Sequence, residues 1–432
     1  MAERLLYGVG GNPVLHSKSP ELFKILAGEN RNFDYVRVKA ESAEELIRLF
    51  EKLGFSGMNI TAPFKSDIIS YLDNIDDDAK KAGAVNLIKK IGEKIKGYNT
   101  DVKGVLDSFK FNGIEVEGKK TLVVGAGGAA RAAIFGLKNE GAMVSVVNRS
   151  RERGKLTASD LGVDLIEKEK LELFLRDADI IVSTLDRDRD LINPEWIRKG
   201  AILLRADYKK RNLEPASLHY SELDGFDWLF FQGVPSFEIL TGSETEDLYL
   251  NYKNIKEKIA AGGKKPAKIY LTGFMGSGKS STGRIMAEKG GYLFYDIDAE
   301  IEKSEGISIK KIFEEKGEKY FRKIEKVVLE KISRENNIIC STGGGIVKDP
   351  ENRNILKKDS VVVWIYSDLK NILHRVDPFP RPLMNGKNQA DMENLFKDRK
   401  NYYAEVADII VPNNNNIENC SRSIYEEISK LM

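Results

Sequence analysis

The sequence is poor in cysteine and histidine. Cys340 and Cys420 are its two cysteines, 80 positions apart in a chain of 432. That is no disulfide framework, and it points to a reducing compartment, the cytoplasm. His16, His219 and His374 are the three histidines. They are too few for a multi-histidine metal site or for a Ser-His-Asp triad in each half, so acid–base chemistry falls to Lys, Asp, Glu or Arg. No apolar run approaches the ~18 residues of a membrane span. The opening Met1-Ala-Glu-Arg-Leu-Leu-Tyr lacks the apolar stretch and cleavage site of a signal peptide. Charge of one sign is missing too. Lys and Arg number 68 against 66 Asp and Glu, and residues 261–432 carry 29 against 25. Neither half has the basic excess of a nucleic-acid binder.

What is present is soluble globular chemistry, 41% apolar and 31% charged. The length predicts two or three domains. Leu122-Val-Val, Val144-Ser-Val-Val, Asp179-Ile-Ile-Val, Ile269-Tyr-Leu, Ile338-Ile and Val361-Val-Val-Trp-Ile read as buried parallel strands. They alternate with helix-length stretches, which predicts an α/β fold. Ala260-Ala-Gly-Gly-Lys-Lys-Pro-Ala, small, charged and ending before a new strand, reads as a linker. Each side of it is expected to hold its own α/β core. A weaker break lies near Gly113–Lys119.

Gly273-Phe-Met-Gly276-Ser277-Gly278-Lys279-Ser280 fits G-x-x-x-x-G-K-[ST] between a predicted strand and a predicted helix. Its glycines let backbone N–H groups close around phosphates. Lys279 supplies a charge to the β- and γ-phosphates, and Ser280 a ligand for Mg²⁺. This implies ATP. Tyr295-Asp296-Ile-Asp298 places Asp296 to hold Mg²⁺ through water and Asp298 to accept from a substrate hydroxyl. Phe321-Arg322-Lys-Ile-Glu325, Ser341-Thr-Gly343-Gly344-Gly345, Arg381-Pro-Leu and Arg399-Lys-Asn-Tyr-Tyr follow. With these motifs in this order, residues 268–432 resemble shikimate kinase. The resemblance implies that Asp298, Arg322, Gly344, Gly345 and Arg399 bind shikimate, arginines suiting its carboxylate. It also implies that Arg381 sits on a closing lid and acts with Lys279 on the transferring phosphoryl group.

In the first half, Gly125-Ala-Gly127-Gly128-Ala129-Ala130 fits the dinucleotide turn G-x-G-x-x-[GA], again between strand and helix. The next strand ends in Asn148-Arg149-Ser-Arg151-Glu-Arg153, where an acid would select NAD. Arg149 and Arg153 would instead pair with a 2′-phosphate, so NADP(H) is the expected cofactor. Upstream lie His16-Ser17-Lys-Ser19, Asn59-Ile-Thr61-Ala-Pro63-Phe-Lys65, Ala82-Gly-Ala-Val-Asn86 and Tyr98-Asn99-Thr100-Asp101. Phe231-Gln232-Gly-Val-Pro comes later. As an ordered series they resemble shikimate dehydrogenase over roughly residues 1–258. The resemblance implies that Ser17, Ser19, Thr61, Asn86, Asp101 and Gln232 touch substrate and that Lys65 and Asp101 form the catalytic pair. Lys65 can meet the oxyanion that develops as hydride reaches a ring ketone. The half departs from the family pattern at Phe23, Lys24, Leu87, Val102 and Ser183.

The resemblances imply a substrate-binding domain over 1–112 with a C-terminal return at 230–258. A Rossmann NADP-binding domain over 113–229, a linker at 259–267 and a P-loop kinase domain over 268–432 complete the chain. The expected activity is reduction of 3-dehydroshikimate followed by phosphorylation of shikimate. The expected partners are these small molecules, with no nucleic acid and no membrane. The alternative is a kinase whose first half is a catalytically weak or regulatory module, and a quinate-using dehydrogenase is a further one. Retained Lys65, Asp101, Arg149 and Arg153 weigh against the first, and for the second an acid in place of the arginines would favour the NAD-using type, and there is none.

Overall fold

The computed structural model describes residues 4–28, 32–186, 191–207, 219–260, 266–375, 389–413 and 416–431. Seventeen strands lie among them. β1 (Leu5–Gly11), β2 (Phe33–Lys39), β3 (Gly57–Ile60), β4 (Asn74–Ile75), β5 (Leu87–Ile91) and β6 (Lys94–Tyr98) come first. β7 (Lys120–Val124), β8 (Met143–Val147), β9 (Asp164–Leu165), β10 (Ile180–Ser183), β11 (Ile202–Arg205) and β12 (Ser221–Leu223) follow. β13 (Lys268–Thr272), β14 (Leu293–Asp296), β15 (Ile338–Ser341), β16 (Val361–Tyr366) and β17 (Ile409–Pro412) complete the set. The six apolar runs of the sequence are all strands in parallel pairs, buried because helices cover both faces. Val361–Tyr366 is buried at every position.

β7 to β12 form a wholly parallel six-stranded sheet in the order β12-β11-β10-β7-β8-β9. Strand order reverses between β10 and β7, and at such a switch point a ligand finds a crevice. The helix Gly225–Thr241, capped by the Asp224 carboxylate on the Phe226 N–H, carries the chain back to the first sheet.

The other eleven strands form one sheet, β14-β15-β13-β16-β17-β2-β1-β3-β5-β6-β4. Its first five strands come from the second half of the chain and its last six from the first. The joint is a parallel pairing of β17 with β2, Ile409 beside Arg37 and Ile410 beside Val38. A single apolar core runs under it, with Val38, Leu46 and Phe50 in the same cluster as Trp364, Tyr403 and Ile410. The sequence led us to expect an α/β core on each side of the linker, and the structure adds a core that both sides share. Sheet edges carry unpaired N–H and C=O groups, and here two edges satisfy one another. No described helix is long and apolar enough to cross a membrane.

Candidate active sites

Lys65 stands in the turn after β3, and Asp101 opens the helix Asp101–Phe111. The Asn99 carboxamide oxygen accepts the N–H groups of Asp101 and Val102 and so fixes that helix start. Lys65 Nζ lies 2.5 Å from Asp101 Oδ2, and both side chains are largely buried. Around them Asn86 Nδ2 donates to Thr100 Oγ1 at 2.8 Å and to Gln232 Oε1 at 3.3 Å. Gln232 comes from the helix Gly225–Thr241, so the returning helix completes this site. Ser236 and Asn59, to which the sequence reading gave no role, lie behind it. Ser236 Oγ is 2.8 Å from Thr100 Oγ1 and accepts from Asn59 Nδ2 at 3.1 Å. Ser17 and Ser19 are buried, their hydroxyls 3.3 Å apart. Thr61 is half-buried beside the same strand ends, its N–H on the Gly10 carbonyl.

The dinucleotide turn meets this site directly. A Cβ on Gly128 would fall 2.4 Å from Lys65 Cβ, so only glycine lets the turn approach. Gly125 has φ +125°, and a Cβ there would strike Thr184 Oγ1. A Cβ on Gly127 would touch nothing, leaving open the space a pyrophosphate needs above the helix Gly128–Asn139, on which Ala129 follows. Past β8, Asn148 Nδ2 is tied to the Ser150 carbonyl. Arg151 is engaged by Glu167 at 2.8 Å. Arg149 and Arg153 are exposed and make no ion pair among the described residues. Two free guanidiniums beside the turn fit a 2′-phosphate.

The departures from the family pattern are accommodated. Phe23 packs on Tyr35, ring centres 4.3 Å apart, and Leu87 is fully buried. Val102 packs against Ala82 and Ala132. Lys24 is exposed, and Ser183 Oγ is buried with no hydrogen-bond partner among the described residues.

In the second half, the loop after β13 curls through positive φ at Gly273, Gly276 and Gly278 into the helix Lys279–Gly290. Lys279 Nζ donates to the carbonyls of Gly273 and Phe274, 3.0 Å each. Ser277 Oγ is buried without a partner among the described residues. Ser280 Oγ lies 3.1 Å from Ser341 Oγ, and Ser341 is the register partner of Asp296 on β14. Ser280 and Asp296 therefore flank one point. Asp296 Oδ1 caps the helix Ile297–Glu305 through the N–H groups of Asp298 and Ala299.

Opposite the loop, the motifs of four elements converge. Arg399, on the helix Gln389–Val406, is buried, and its Nη1 donates to the Gly344 carbonyl at 3.0 Å. Its Nε has no partner among the described residues. The Tyr403 hydroxyl donates to the same carbonyl. A Cβ on Gly345 would fall 2.5 Å from Arg322 Nη2. One on Gly343 would fall 2.5 Å from Glu325 Oε1 and 3.2 Å from Asp298 Oδ1. Glu325 and Tyr403 had no role in the sequence reading. Glu325 is almost wholly buried and 2.7 Å from Arg322 Nη1. Burial pushes its carboxyl above the usual range against the pull of that guanidinium. The i, i+3 spacing of Arg322 and Glu325 was a visible signal for this pair. Arg381 lies outside the described residues.

Comparison with known proteins bears on both sites. Residues 9–88 match the family model described as shikimate dehydrogenase substrate binding domain, and residues 107–207 match shikimate / quinate 5-dehydrogenase. Residues 275–430 match shikimate kinase. The chain is 36% identical over 253 residues to a shikimate dehydrogenase (NADP(+)) of Aquifex aeolicus, covering 56% of this chain and 93% of that protein. It is 47% identical over 139 residues to a shikimate kinase of Persephonella marina, covering 32% of this chain and 84% of the kinase. Among solved structures, a Thermus thermophilus shikimate 5-dehydrogenase in complex with shikimate is similar with TM-score 0.52 and 29% identity, covering 59% of this chain and 98% of that one. The chain belongs to the shikimate dehydrogenase family in its first half and to the shikimate kinase family in its second.

Proposed function

We propose that the two sites run consecutive reactions: reduction of 3-dehydroshikimate to shikimate at Lys65 and Asp101, then phosphorylation of shikimate beside Lys279. The observation that supports this most is the Lys65–Asp101 contact of 2.5 Å at a dinucleotide turn. Two activities in one chain then have a common logic, since the product of the first site is the substrate of the second.

In the first site, NADPH supplies a hydride. Lys65, held by Asp101, stabilises the alkoxide that forms at the ring ketone and delivers its proton. Asp101 also accepts from a neighbouring ring hydroxyl. Ser17, Ser19, Thr61, Asn86 and Gln232 hold the substrate. Gly125, Gly127, Gly128 and Ala129 admit the pyrophosphate, and Asn148, Arg149 and Arg153 line the ribose phosphate end.

In the second site, ATP with Mg²⁺ supplies the phosphoryl group. Gly276, Ser277, Gly278 and Lys279 would hold its phosphates, and Ser280 and Asp296 the ion. Asp298 accepts from the attacking hydroxyl of shikimate, and Arg322 and Arg399 bind its carboxylate. Gly344 and Gly345 leave room for its ring. Arg381 would act on the phosphoryl group from a lid. The domain division 1–112 with 230–258, 113–229 and 268–432 assigns one role to each part. Both cysteines are buried and neither forms a disulfide, which suits the cytoplasm. The test is a single mixture of the pure chain with 3-dehydroshikimate, NADPH, ATP and Mg²⁺. Loss of NADPH absorbance and appearance of shikimate 3-phosphate are expected. Phosphate transfer to added shikimate without any NADPH loss would leave a kinase alone.

A further inference from the structure

The loop that carries Ser17 and Ser19 is held from the other half of the chain. Glu427 lies on the helix Ile417–Ser429, the last helix of the kinase half, and is almost wholly buried. Its carboxylate accepts the N–H of Val14 at 2.9 Å and of Leu15 at 2.8 Å. The Val14 carbonyl in turn accepts the Ser17 N–H at 3.0 Å. The Ser17 carbonyl is gripped by Arg37, Nε at 3.0 Å and Nη2 at 2.6 Å, and Arg37 Nη1 reaches the Asp408 carbonyl of the kinase half at 3.5 Å.

A carboxylate taken out of water is costly unless fully hydrogen-bonded, and charge-assisted bonds to N–H groups are about twice as strong as neutral ones. Two such bonds on adjacent residues fix the direction of a short loop in a way that side-chain packing alone does not. The side chains of Val14 and Leu15 join the same cluster as Met286, Ile424 and Ile428. The loop is thus seated in the kinase half by backbone and side chain together.

We infer that Glu427 is a positioning residue for the dehydrogenase reaction: a group of the kinase half that sets the loop bearing Ser17 and Ser19 for 3-dehydroshikimate. This rests on the reading that those two serines bind that substrate. Glu427 touches no reacting atom and acts through the backbone of Val14 and Leu15.

Glu427→Gln in the full chain keeps the shape but removes the charge behind both bonds, and its amide nitrogen, in the place of Oε1, would stand 3.1 Å from the Val14 nitrogen, donor against donor. The expected result is a KM for 3-dehydroshikimate raised roughly tenfold, the scale of one lost buried hydrogen bond. kcat should fall much less, and kinase constants for shikimate and ATP should stay within about twofold by the same scale. Amide exchange measured by mass spectrometry should quicken at residues 12–19 and not at 276–280. Unchanged KM with unchanged exchange overturns the inference. So does equal loss of both activities, since Glu427 would then support the fold at large. Ser17→Ala and Ser19→Ala separate the underlying reading: if they leave the KM untouched, the serines do not bind substrate. If they raise it while Glu427→Gln does not, the assignment of Glu427 alone fails.

Discussion

Lys65 and Gly128 touch: a Cβ at position 128 would sit 2.4 Å from the Cβ of Lys65. The proposed proton donor and the proposed cofactor turn are therefore packed against each other without a spacer. Lys65→Met should lower kcat for reduction at least about a hundredfold, the lower range for general acid–base catalysis. KM for 3-dehydroshikimate should change little, because the charge matters mainly in the transition state. Asp101→Asn should be slow with a raised KM. If Lys65→Met keeps its kcat and only KM rises, Lys65 is a binding residue.

Glycines 127 and 128 should behave differently when replaced. Gly128→Ala forces the turn and Lys65 apart, so kcat and NADPH affinity should both fall. Gly127→Ala meets no protein atom and should fold normally. Its cost should appear as a raised KM for NADPH, because the methyl enters the space for the pyrophosphate. Steady-state kinetics with NADPH varied distinguishes the two, and a silent Gly127→Ala would place the pyrophosphate elsewhere.

Arg149 and Arg153 are exposed, whereas Arg151 between them is occupied by Glu167. Arg149→Ala with Arg153→Ala should raise the KM for NADPH about a hundredfold or more, two bonds to a charged group being lost at about 1.5–3 kcal/mol each. NADH use should be nearly unaffected. Arg151→Ala should leave the preference unchanged. Equal losses with both cofactors would mean that the pair does not read the 2′-phosphate.

The strands and the two phosphate turns were legible because their signals are local. Val361–Ile365 is apolar at every position, and Gly273–Ser280 carries its chemistry in eight consecutive residues. The remainder depends on pairings across hundreds of positions. Nothing in Ile409–Pro412 says that it will pair with Phe33–Lys39. Glu427 reads as one more acid on an amphipathic helix, although it binds a loop 412 positions away. Tyr403 stands in the quoted Arg399-Lys-Asn-Tyr-Tyr motif, yet its bond to the Gly344 carbonyl shows only in three dimensions. Asp296 was read for its carboxylate alone, and the structure adds its cap on the next helix.

Lys279→Ala should abolish phosphorylation and leave reduction largely intact, because Lys279 belongs to the phosphate turn of the second half, where it donates to the carbonyls of Gly273 and Phe274. Asp298→Asn should weaken shikimate use more than ATP binding, since its carboxylate lies beside Gly343. Isothermal titration with each ligand checks this, and normal shikimate kinetics in Asp298→Asn would remove the assignment.

The shared sheet makes a prediction about the linker. A protease site placed between Ala260 and Pro266 cuts the chain where the two families meet. Cores on both sides would let each piece stay folded. The β17–β2 pairing, the Glu427 bonds and an ion pair between Arg48 and Asp368 all cross the cut. So does the apolar core in which Leu46 and Phe50 meet Trp364 and Tyr403. Such a joint resembles a domain core cut in half, which marks permanent interfaces more than transient ones. The nicked protein should therefore elute from a sizing column as one particle and keep both activities. Arg48→Glu should weaken the joint by turning the pair with Asp368 into a repulsion, and the nicked variant should separate at lower urea than the nicked wild type. If nicked wild-type protein falls into two pieces in dilute buffer, with reduction kinetics unchanged in the released first half, the common sheet contributes nothing to the first site.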